Sequence, residues 1–116
     1  QKAQASQGGA VTVTATSNYV LDDSHNVDIS ITAYVEYAYD EGAYGWVINI
    51  IPQSWSKTSD NVTIETMERA DDYGYQTSTA TYVFYYTAHS FDIDYDGYIY
   101  FYFSVDEWGD FNYWLE

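Results

Sequence analysis

The sequence predicts an all-β chain, folded as a two-sheet sandwich of about seven short strands. Three observations carry this. Apolar and polar residues alternate with a period of two along most of the chain, most cleanly in Val27–Tyr39 and Tyr98–Val105. Clusters of Asp, Asn, Ser and Gly punctuate those segments at turn spacing. No stretch carries a helical period; Met67–Ala70 has room for one turn at most.

Gln1 to Gly9 is polar, small and glycine-containing, and reads as a flexible tail or a tether for strand exchange. Residues 10–116 form the single domain that follows. Ala10–Thr16 is the first strand, with Val11, Val13 and Ala15 on one face and threonines on the other. Asn18–Asn26 holds turn formers. Val27–Tyr39 follows, with Val27, Ile29, Ile31, Ala33, Val35 and Tyr37 in one row; its β-branched content favours a strand. Asp40–Gly45 is a turn. Trp46–Ile51 is a third strand, ended by Pro52, the only proline. Asn61–Glu68 is polar on both faces and suits an edge. Asp71–Gly74 is a turn, and Tyr75–Ala88 a fifth strand.

The stretch from Phe91 to Asp110 organises the rest. It reads as an acidic corner, a long strand and an acidic turn. Ile99, Phe101, Phe103 and Val105 form a core row, each worth about 1.5 to 3 kcal/mol when buried. Tyr98, Tyr100, Tyr102 and Ser104 form the opposite row, a tyrosine ladder. Phe111–Leu115 is the last strand.

A chain of 116 residues makes one domain. The net charge is -15, and Lys2, Lys57 and Arg69 are the only fixed cations. Such a surface repels nucleic-acid phosphates and anionic lipid, and attracts divalent cations. High charge alone would suggest disorder, but 15 tyrosines, 4 tryptophans and 47% hydrophobic residues dictate collapse. No apolar run is long enough for a membrane-spanning helix. There is no cysteine, so no disulfide or thiolate metal site contributes. Gln1 suits a mature terminus left by signal removal.

The stretch Gly97-Tyr-Ile-Tyr-Phe-Tyr-Phe-Ser-Val-Asp106-Glu-Trp-Gly109-Asp110 resembles the last hairpin of extracellular immunoglobulin-like modules of the PKD and bacterial Ig-like kind. In those modules a glycine opens an alternating strand that ends in an Asp-x-x-Gly turn. The resemblance implies an immunoglobulin-like sandwich on a secreted or surface-attached polypeptide, and no catalytic residues. The tyrosine load departs from the pattern.

Several constellations bear on function. Asp92, Asp94 and Asp96, followed by Gly97, have the alternate spacing that opens a calcium loop. Phe103 stands where an EF-hand would need its bidentate Glu, so the expectation is a Ca2+-binding corner outside that family. The acidic turns near Asp40, Asp71 and Asp106 would add a second cation site if they shared one end of the sandwich. His25 and His89 are isolated from any nucleophile motif, so no enzyme is expected. Asn61-Val62-Thr63 is a glycosylation sequon.

The aromatic surplus points to contact. Tyrosine and tryptophan bury large area at little entropic cost, which suits a protein interface. Their rings also stack on sugars. The expected function is therefore a secreted, non-enzymatic subunit of a pilus-like filament or surface polymer. Val11, Val13, Tyr98, Tyr100 and Tyr102 would serve self-association, and the N-terminal strand would be exchanged between copies. The alternative is a calcium-dependent carbohydrate-binding module, with glycans as partners; a passive spacer domain is a third reading.

Overall fold

A computed structural model describes residues 7–58 and 61–116. It contains β1 (Gln7–Asp22), β2 (His25–Asp40), β3 (Tyr44–Thr58), β4 (Thr63–Tyr73), β5 (Thr79–Ser90), β6 (Ile93–Val105) and β7 (Phe111–Leu115). There is no helix among the described residues. Two antiparallel sheets face one another: β1-β2-β3, and β4-β5-β6-β7. The expected seven-strand sandwich is thus present. Its wiring is a meander, since every hydrogen-bonded pair of strands is consecutive in the chain and only the β3–β4 connection changes sheets. Immunoglobulin modules instead join their strands in Greek-key order.

The core lies between the two alternating rows that the sequence marks most clearly. Val27, Ile29, Ile31, Ala33 and Val35 of β2 are buried, as are Ile99, Phe101, Phe103 and Val105 of β6. β1 packs over β7, β2 over β6, and β3 over β5 and β6. The strands of the three-stranded sheet are long, up to 16 residues, and the molecule is a rod of 68 × 21 × 19 Å.

Several boundaries differ from the sequence reading. β1 starts at Gln7, inside the segment read as a tail, and runs on to Asp22 through residues read as a turn. Alternation persists there: Tyr19 and Leu21 pack against the core, while Asn18 points outward and donates across the ladder to Asp28 at 2.9 Å. The turn-forming side chain is used for cross-strand pairing. The rest of the proposed tail, residues 1–6, lies outside the described residues.

β3 continues through Pro52 to Thr58 because the proline sits at a bulge on an edge strand. Ala33 faces Pro52 and Thr32 faces Ser54, leaving Gln53 as the extra residue. β5 begins at Thr79, not Tyr75. Gly74 turns the chain with φ +87°, and the loop after it docks on β3: the Val47 amide donates to the Thr77 carbonyl, and the Gln76 amide to the Val47 carbonyl, both at 2.8 Å. The acidic corner is largely strand, since β6 begins at Ile93 and pairs with β5 throughout.

Candidate assembly surfaces

A sheet edge offers unpaired backbone groups to any passing strand, and folded proteins blunt edges with bulges, charge, proline or brevity. Three of the four edges here are blunted. β3 carries two register shifts, Pro52 and Lys57, and the 74–78 loop covers part of it. β4 carries two register shifts together with Glu65, Glu68, Arg69, Asp71 and Asp72. β7 has only five residues. β1 is the least guarded: its one register shift lies at its far end, between Val20 and Asp22, it pairs with β2 without interruption from Gln7 to Val20, and within the strand neither a charge nor a proline occurs before Asp22.

Along β1, Val13 and Ala15 are buried and Val11 is half-buried, so these residues face the core. The outward row is hydroxylated: Thr14 bonds Thr32 at 2.8 Å and Thr16 bonds Ser30 at 2.7 Å. Gly9 lies directly beneath the Tyr37 ring. A Cβ there would come within 2.5 Å of that ring, so only glycine lets Tyr37 close over the start of the strand. Val11 and Val13 therefore face the core, and the other side of β1 has no partner strand among the described residues.

The tyrosine ladder occupies the outer face of the four-stranded sheet. Tyr98 is 55% exposed, but Tyr100 and Tyr102 are half-buried. Tyr102 stacks on Trp114 with centroids 5.1 Å apart at 15°, and Tyr100 lies 6.3 Å from Tyr102 at 19°. Tyr85 packs on Tyr98 at 5.4 Å and donates its hydroxyl to Asp96 at 2.8 Å. Beside this ladder, Thr81 and Val83 are buried although they belong to the outward row of β5. The aromatic layer thus covers the sheet as well as facing solvent. Burial raises the Tyr102 pKa.

The two ends of the rod differ. At one end the β5–β6 turn holds Phe91, 78% exposed and left-handed at φ 55°. A bulky residue rarely adopts that conformation, and such outliers collect where a surface has a use. At the other end Gly42 of the β2–β3 turn lies against Trp108 of the β6–β7 turn. Trp108 and Tyr44 are both more than half exposed there.

A polar clasp joins the sheets near the Phe91 end. Tyr95 of β6 donates its hydroxyl to Asp22 of β1 at 2.5 Å, and His25 Nδ1 donates to the same carboxylate at 2.8 Å. The Ser24 amide donates as well, at 2.8 Å. The Tyr95 bond, then the amide and His25, hold the Asp22 pKa down to about 2, and Asp22 in turn pushes Tyr95 up to about 12. The folded pKa of Asp22 lies below its ordinary 3.8, so its contribution to stability is present above about pH 4 and fades as pH falls towards 2. Tyr95→Phe removes the largest of these causes. An NMR titration of the Asp22 carboxyl is expected to show its midpoint move up towards the ordinary value in that variant; an unmoved midpoint would mean that the Tyr95 hydroxyl does not hold it.

The remaining predicted residues fall as follows. Asp94 and Asp96 belong to β6 and Asp92 to its turn, so the aspartates run along a strand rather than round a loop. Asp96 is engaged by Tyr85, and Asp94 accepts from His89 Nδ1 at 2.7 Å, a bond that raises the His89 pKa. The turns at Asp40 and Asp106 do share one end of the rod. Among the described residues, however, no trio of acids and histidines gathers there. Asn61 is exposed on the bend ahead of β4, beside buried Val62 and exposed Thr63. Sequence reasoning missed the clasp, whose members are about 70 residues apart. It also missed Glu65, which a bulge brings beside His89. No protein-family model, curated protein or solved structure matches this chain.

Proposed function

We propose that the chain is a non-enzymatic structural subunit of an extracellular filament or surface polymer, and that β1 is the element that joins copies. The observation that carries this is the unprotected edge of β1 beside three protected ones. Simple edge-to-edge addition would pair β1 with the β1 of a second copy, an isologous contact that closes at two. An open polymer follows when β1 leaves its own sheet and pairs with β2 of a neighbour. That exchange restores the same ladder and returns Val11, Val13 and Ala15 to a core, so it loses little. The rod shape and the exposed aromatic groups at its two ends suit head-to-tail contact. Both histidines are bonded to carboxylates, His25 to Asp22 and His89 to Asp94.

The test interrupts the exchange with a free donor strand. A peptide of residues 7–17, in excess, would compete for the side of β2 that an exchanged β1 vacates. Under light scattering and negative-stain imaging, the unaltered chain is expected to form filaments, and the peptide, added before assembly, to cap it as short or single units; a peptide carrying Val13→Asp should not, because that position is buried. Monodisperse monomer from the unaltered chain at high concentration would overturn the reading, as would filaments that the excess peptide leaves undiminished. The outer aromatic face supports a second reading, in which exposed Tyr98 and its neighbours stack on a glycan; binding on a glycan array that is lost in Tyr98→Ser would favour it.

A further inference from the structure

We infer that Glu65, His89 and Asp94 form a binding site for one first-row divalent transition metal ion of the zinc or nickel type. The residues come from three adjacent strands, β4, β5 and β6. His89 faces Asp94 directly in the ladder. Glu65 arrives by a different device. The β4 register slips between Ile64 and Thr66, which face Ala88 and Thr87 in turn, so Glu65 is the unpaired residue of a bulge. Bulges re-aim side chains, and this one brings the carboxylate to the imidazole.

The donor geometry fits a small cation. His89 Nδ1 lies 2.7 Å from Asp94 Oδ1 and 4.0 Å from Glu65 Oε1, and the three donor atoms all lie within 4.8 Å of one another. Ligands held at about 2.0–2.2 Å from one ion stand roughly 3.0–3.5 Å apart. The two observed separations bracket that value. Both carboxylates are at least half exposed, so each reaches its place by a side-chain adjustment. An imidazole with two carboxylates is a set that zinc and its neighbours take readily, leaving a position open to water. Calcium takes six to eight oxygens and gains little from a ring nitrogen. The ion would displace the proton that His89 Nδ1 now donates to Asp94, and two carboxylates would balance its charge. In a chain of net charge -15 that neutralisation also relieves repulsion.

The other histidine supplies the control. His25 stands beside Asp22 and Tyr95, with no second carboxylate in a donor trio. Isothermal titration of the full chain with Zn2+ alone, at neutral pH and moderate salt, is expected to give one site per chain. Affinity should fall by at least about tenfold in His89→Gln and in Glu65→Gln, and remain unchanged in His25→Gln. In the unaltered chain the His89 ring resonances should shift on adding Zn2+ and not on adding equimolar Ca2+. Glu65 and His89 are exposed or half-exposed and His25 is largely covered, and a melting curve verifies that each variant folds. The site is refuted by no binding in the unaltered chain. Several weak equivalents that His89→Gln leaves intact would refute it too, because that is the behaviour of a diffuse acidic surface.

Discussion

A chain lacking residues 1–17 is expected not to fold on its own, and to fold when a peptide of residues 7–17 is added. The deletion takes Val11, Val13 and Ala15 out of the core and strips β2 of its partner from Gln7 to Ser17. Burial of the two valines and the alanine is worth roughly 3–5 kcal/mol, before the lost backbone pairing is counted. A domain of this size holds only about 5–15 kcal/mol in total. The deletion also opens the hydrogen-bonding side of β2, whose inward row is the most apolar in the three-stranded sheet. The peptide restores strand and core together, with Gly9 again beneath Tyr37. Near-ultraviolet circular dichroism and an amide NMR spectrum should show a fixed fold only in the one-to-one mixture. A peptide carrying Val13→Asp should fail, because its inward position is buried. If the shortened chain folds with the stability of the full one, β1 is dispensable and strand exchange cannot be what joins subunits.

Much of this architecture was legible because alternation is a local property. The rows of β2 and β6 can be read residue by residue, and both are buried as read except at Tyr37, which is half-buried beyond the bulge at Glu36. Several of the places where the reading slipped share a physical cause: side chains that favour turns in isolation are used here for pairing between strands. Asn18 reaches Asp28, and Asp94 and Asp96 accept from His89 and Tyr85, so residues with turn chemistry stand inside a ladder. Sequence gives the residue types of a turn but not the register that recruits them. The bulge that turns Glu65 towards His89 is a register event of the same kind. The clasp of Asp22, His25 and Tyr95 depends on which end of β1 meets which end of β6, and that follows only from the stacking of the sheets. One signal was available. Between Lys2 and Asp22 the chain has no charged residue, although 21 of 116 are charged, and an uncharged strand in such a chain marks the unguarded edge.

Phe101→Ala is expected to be the most damaging single substitution, costing about 3–5 kcal/mol. Phe101 is fully buried at the middle of β6, with Tyr82 of β5 and Leu115 of β7 beside it in the sheet and the inward row of β2 across from it. Its neighbour Phe103 is fixed by Phe111 at 5.3 Å and Tyr37 at 5.9 Å, so adjoining rings are not free to fill a void. Strands on both sides hold the backbone, and a cavity that cannot collapse costs the full packing loss. Thermal melting should fall by on the order of 10–20 °C. The comparison that gives this meaning is Tyr98→Ala, three residues earlier on the opposite row. Tyr98 is 55% exposed and its ring packs on Tyr85 at 5.4 Å, so the loss should be under about 1 kcal/mol. Differential scanning calorimetry on both variants decides the matter. Equal losses would mean that the outer tyrosines carry as much of the fold as the inner phenylalanines. A large gap, with assembly weakened mainly by Tyr98→Ala, would separate the row that holds the subunit together from the row that faces its neighbours.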